Sequence, residues 1–151
     1  MITIVDLVRG LSEMIEDLFG APPVTKDLQE GFDRPCTFLT PILTDAVREG
    51  DLRHETVQLE LVRFGARTSR GWVDLLHAQA ALTEALERPV RVDDRFHLLA
   101  EETEFDLDRD DMVLTCTFEV QTFQLREEDE DGGSRDMMES LEMSGGTIAA
   151  P

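Results

Sequence analysis

Apolar residues at Ile4, Leu7, Val8, Leu11, Met14, Ile15, Leu18 and Phe19 recur at intervals of three and four, which predicts an opening helix with one buried stripe. Gly20, Pro22 and Pro23 end it, since glycine takes the left-handed cap conformation and proline cannot continue a helix. A short segment, Val24 to Leu28, leads to the bend Gly31, Phe32, Asp33, Arg34, Pro35 and then to a strand from Cys36 to Leu43. Pro35 and Pro41 donate no backbone hydrogen bond, so this strand belongs at a sheet edge or has a broken ladder. Past a loop at Glu49, Gly50 and Asp51, the residues Val57, Leu59 and Leu61 alternate with Gln58 and Glu60. That is the period of a strand with one solvated face. Trp72, Leu75, Leu76, Leu82 and Leu86, with four alanines between them, return to helical spacing as far as Pro89. Phe96 to Phe105 has an extended apolar pattern, Asp106 to Asp111 makes a turn, and Met112, Leu114, Cys116, Phe118 and Val120 alternate strictly with their neighbours. The last two segments predict a hairpin.

The order helix, strands, helix, strands predicts an α+β domain over residues 1–125, an antiparallel sheet of about five or six strands packed on two helices. Residues 126–151 read differently. They begin with a run of Glu and Asp and end in Ser and Gly, a composition that buries too little apolar surface to offset its ordering entropy. This is an acidic C-terminal tail. Met137, Met138, Leu141 and Met143 make a small apolar cluster inside it, read either as a short helix that docks on a partner or as stray apolar side chains in a mobile segment.

Charge narrows the function. Lys and Arg number 14 against 33 Asp and Glu, a formal net charge of -19, which repels nucleic-acid phosphates and anionic lipid alike. No apolar run approaches the length of a membrane span, and the first ten residues lack the basic head of a secretory signal, so a cytosolic product is the expectation. Cys36 and Cys116 fit no zinc or redox spacing. Buried free thiols or a bridge between the two strands both suit them.

Little in the chain points to catalysis. His54, His77 and His97 share no ligand spacing. Asp106, Asp108, Asp110 and Asp111 suggest a calcium loop, yet that loop would need glycine where Asp111 sits and glutamate where Thr117 sits, so a solvated hairpin tip is the better reading. A phosphate-cradling glycine loop and a nucleophile elbow are both missing. A protein without enzymatic activity, metal or cofactor is expected. The one local excess of positive charge, with Arg67 and Arg70 followed by Trp72, suggests a phosphate or nucleic-acid contact, but the overall acidity favours the loop and cap before the second helix, with Trp72 in the core or at a partner contact.

The stretch VTKDLQEGFDRPCTFL, Val24 to Leu39, resembles the phage tail terminator family, in which a short strand precedes a glycine, an aromatic, a basic residue and a proline, and an apolar strand follows. Gly31, Phe32, Arg34, Pro35 and Phe38 carry the match, and the element order extends the resemblance to about Phe123. The acidic tail is longer than the family pattern. The resemblance implies a structural subunit of the virion neck: a ring, of six copies, that caps the head-proximal end of the tail tube. Such a ring stops tube polymerisation and docks the tail to the head connector. Its implied partners are further copies of itself, the tube protein, the connector or stopper protein and, in contractile tails, the sheath. DNA would pass through the lumen without specific binding. A head-tail stopper or neck protein, and an acidic module that mimics DNA, are the alternatives.

Overall fold

A computed structural model of the chain describes residues 2–25, 31–94 and 96–125. Helix α1 spans Ile4–Phe19 and starts at Thr3, whose hydroxyl accepts from the Asp6 N–H at 3.3 Å while the Asp6 carboxylate accepts from the Thr3 N–H at 2.9 Å. This reciprocal box satisfies donors that the first helical turn leaves free. Gly20 ends the helix at φ 81°, its N–H donating to the Glu16 carbonyl. Helix α2, Ser69–Leu86, is capped by Thr68, which accepts from the Gly71 N–H at 3.2 Å.

Among the described residues the strands are β1 (Cys36–Glu49), β2 (Leu52–Phe64), β3 (Val90–Arg91), β4 (His97–Leu98), β5 (Ala100–Asp108) and β6 (Val113–Leu125). Four of them form one antiparallel sheet in the order β1-β2-β6-β5, and β3 pairs with β4 separately. The long β1–β2 hairpin turns through Gly50 and Asp51, with Gly50 at φ 62° in the first central position, where an L side chain would be strained.

One face of the sheet makes the core. Val57, Leu59 and Leu61 from β2 and Leu114, Cys116, Phe118 and Val120 from β6 meet Leu7, Leu11 and Ile15 of α1 and Leu75, Ala78 and Leu82 of α2. Each large side chain sealed here contributes roughly 2 kcal/mol of transfer free energy. Close approaches need glycine: a Cβ on Gly10 would press on the Arg91 carbonyl, and one on Gly71 would overlap the carbonyl of Ala66. At the far end of β6 the Gln124 amide clasps Ile2, accepting from its N–H at 2.7 Å and donating to its carbonyl at 3.1 Å.

Several sequence expectations change at their borders. The first strand runs past Leu43 to Glu49, because the register slips between Pro41 and Leu43 and pairing with β2 then resumes. It is an edge strand, as its prolines require. Phe96 to Phe105 is not one strand: His97 and Leu98 pair with β3, and β5 begins at Ala100 with a bulge between Glu101 and Glu104, where Glu102 takes φ 53°. The turn expected from Asp106 starts later, since Asp106 and Asp108 still pair with Thr115 and Val113 and point to the solvated face. Asp108 then accepts from the N–H groups of Asp110 and Asp111 at 3.0 and 3.1 Å, which shapes the tip. The cysteines are free and lie on opposite faces, Cys36 across from Phe64 and Cys116 across from Leu61, so no bridge joins them.

Candidate assembly surface

The bend at Gly31 brings three aromatic rings together. Phe32 packs on Phe64 at 4.6 Å between centroids and on Phe38 at 5.3 Å, and Phe38 meets Phe64 edge-on at 5.7 Å. Arg34 lies over Phe64 at 5.0 Å and over Phe32 at 5.9 Å. Its guanidinium donates to the carbonyls of Gly65 and Asp111, both at 3.1 Å. One side chain thus ties the bend, the end of β2 and the β5–β6 turn. Gly31 sits at φ 83°, which only glycine adopts without strain, and Pro35 follows across a cis peptide. Val24 lies against the upper part of β1, its N–H donating to the Thr37 carbonyl at 2.8 Å. Residues 26–30 are outside the described residues.

Arg67 and Arg70 are exposed at the start of α2, and the nearest carboxylate to Arg70 is Asp74 at 4.0 Å. Trp72 is half-buried in the first turn of α2, with the Arg109 guanidinium 5.3 Å from its ring centroid. Arg109 comes from the β5–β6 turn and was not singled out by the sequence. Met137, Met138 and Leu141 lie outside the described residues. Behind the bend, a cleft of about 270 Å³ is lined by Phe19, Pro35, Arg63, Ala78 and their neighbours. Arg63 crosses it, over the Phe19 ring at 4.3 Å, and donates to the Thr37 hydroxyl at 2.8 Å. Burial holds its pKa below the usual arginine range.

The sheet face away from the helices is charged with one sign. Residues directly opposite in an antiparallel ladder share a face, and this face carries Asp45 and Glu49 on β1, Glu60 on β2, Glu119 on β6 and Glu101, Glu104, Asp106 and Asp108 on β5. None of its strand positions holds Lys or Arg. At the end formed by the hairpin and the last turn of β6, the same face is apolar instead: Leu43, Val47, Phe123 and Leu125 are 48–73% exposed. His54 stacks on Phe123 at 4.2 Å and shares a 2.9 Å hydrogen bond with Gln121. Beside them the outer half of β1, Pro41 to Glu49, is exposed throughout and pairs only with β2. Sequence reading missed this corner because it ended the strand at Leu43. The alternation Leu43, Asp45, Val47 was the available signal.

Among the described residues no group of three His, Cys, Asp or Glu is placed to hold a metal ion. No described helix is long and apolar enough to cross a membrane. The family model for phage tail terminator proteins matches residues 6–132. The chain belongs to the phage tail terminator family. Membership makes it a structural protein of the virion tail with a part in tail completion, one that associates with other tail and head components. A comparison with curated proteins gives no match. The apolar corner, the open border of β1 and the aromatic bend are the surface features the fold sets apart.

Proposed function

We propose that six copies of this chain close into a ring at the head-proximal end of the tail tube, where they stop tube growth and present the docking surface for the head connector. The observation that carries the reading is the family match over residues 6–132. Its support in the fold is a sheet with an uncovered border and exposed apolar side chains, the kind of surface a protein keeps for a partner. Residues 1–125 act as the assembly domain and residues 126–151 as an acidic extension. Gly31, Phe32, Arg34, Pro35 and Phe38 shape the bend that sets the border of β1 for these contacts. Arg67, Arg70 and Trp72 offer a second contact on α2.

The carboxylates of β5 and β6 face the lumen, where like charge keeps passing DNA from sticking to the wall. The tube protein lies on one side of the ring and the connector on the other, with the last sheath layer outside it in a contractile tail. Removing the gene tests the reading: tubes of irregular and excessive length are expected in electron micrographs of the lysate. Tubes of unchanged length that carry no heads would move the protein to the stopper position, and normal virions would end both readings.

A further inference from the structure

Two exposed apolar patches on this molecule differ in place and in charge. The first is the corner already described, Leu43, Val47, Phe123 and Leu125, on the open sheet face beside Asp45 and Glu49. The second is on the outer side of α2, where Val73 and Leu76 are 47% and 44% exposed. Leu76 opens onto a shallow groove that continues to Ala80 and to Leu107 of β5. Its N-terminal half carries Arg67, Arg70 with 86% of its side chain exposed, and Arg109 over Trp72, against one acid, Asp74, 4.0 Å from Arg70. Glu84 and Glu87 border only the C-terminal half. Of the exposed large apolar side chains among the described residues, most fall in these two patches.

The patches cannot meet within one molecule. Leu107 pairs with Leu114 at one end of β6, and Leu125 ends the other. Eleven residues of strand separate them, roughly 37 Å, and the helix side of the sheet lies between one and the other. A contact of each patch with its own kind would set acid against acid at the corner. Corner against α2 flank sets Asp45 and Glu49 against the end of α2 where cations outnumber acids, around an apolar centre, the arrangement in which charge fixes register and apolar area gives hold. Such a contact is heterologous: each copy uses one patch on the neighbour before it and the other on the neighbour after it. Repetition then closes a ring or extends a filament.

We infer that the occupant of the apolar corner is a second copy of this chain, with Leu43, Val47 and Phe123 of one copy seated on Val73 and Leu76 of the next and Asp45 and Glu49 facing its Arg70. This rests on the ring reading and names the two surfaces that make it. Val47 and Leu76 are exposed, so Val47→Cys and Leu76→Cys leave the core intact, and the native Cys36 and Cys116 are buried.

The test treats purified tails with a short bis-maleimide. A chain carrying both new cysteines is expected to give a ladder of linked multimers, and either single variant is expected to give monomers only. A second pair, Phe123→Cys with Val73→Cys, is expected to give the same ladder. Dimers from a single variant would mean that like patches meet, which overturns the assignment, as would linkage of the corner to a different tail protein. Counting copies per tail by quantitative mass spectrometry separates the two layers. Several copies with no ladder from either pair would overturn this contact and leave the ring standing. One copy per tail would overturn both.

Discussion

Arg34 stands in the stretch that resembles the family pattern, and its contacts in the fold are to backbone. Two carbonyls, of Gly65 and Asp111, depend on it, and its stem and guanidinium cover Phe64. Hydrogen bonds from a charged group are worth more than neutral ones, so Arg34→Ala is expected to lower stability by about 2 kcal/mol in denaturant unfolding. Lysine at this position lacks the planar group that lies over Phe64 and is expected to recover only part of the loss. Cys116 acts through burial alone. Its thiol is fully sealed beneath the helices, and desolvation pushes its pKa from 9.0 up to about 12. The unfolded chain releases this proton at lower pH than the folded one, so the thiol's contribution is whole below pH 9 and is lost between about 9 and 12. Over that window stability is expected to fall by at most about 1.4 kcal/mol per pH unit, and Cys116→Ala is expected to flatten the slope. A maleimide at neutral pH should leave this residue unmodified until the protein unfolds.

At the level of elements, the start of α2 is the tightest joint. Gly71 packs so closely on Ala66 that a methyl group there forces the backbone apart. Alanine is ordinarily the better helix former by about 1 kcal/mol, so the sign of Gly71→Ala decides which effect wins. A loss of about 2 kcal/mol is expected, measured as a lowered thermal midpoint, because overpacking against a main-chain atom has no flexible side chain to absorb it. Both helices, β2 and β6 were legible in the sequence, since each buries one regular stripe and the period of burial is the period of the apolar residues. The bend was legible too, through Gly31 and Pro35. What the sequence hid has a common cause. Pro41 shifts the register of β1, so the strand continues with its other parity and its pattern looks finished at Leu43. The bulge at Glu102 breaks β5 in the same way. The pairing of Arg109 with Trp72 joins residues far apart in the chain, for which a single sequence holds no local signal.

On the scale of the whole molecule, charge is segregated. Its open sheet face holds carboxylates and no lysine or arginine at any strand position, and Glu101 stands directly opposite Glu119. Like charges across a ladder destabilise it, so Glu119→Gln is expected to raise stability by about 0.5 kcal/mol at low ionic strength, with the gain fading as salt screens the pair. If the face lines a passage for DNA, that small stability would come with slower or incomplete genome release, measured as DNA ejected in vitro. The free-energy cost of crowding like charge is then the mark of a surface selected for what it repels.

The clasp between Gln124 and Ile2 places the beginning of the chain beside the end of β6. The Gln124 amide meets both backbone polar groups of Ile2, so loss of Ile2 would leave this buried amide without either partner. For anyone attaching a probe, Ile2 and the last residues of β6 are one address: a bulky group at either crowds the same edge. Labels are better carried at Asp110 in the β5–β6 turn, at the opposite end of β6, when that edge must stay clear.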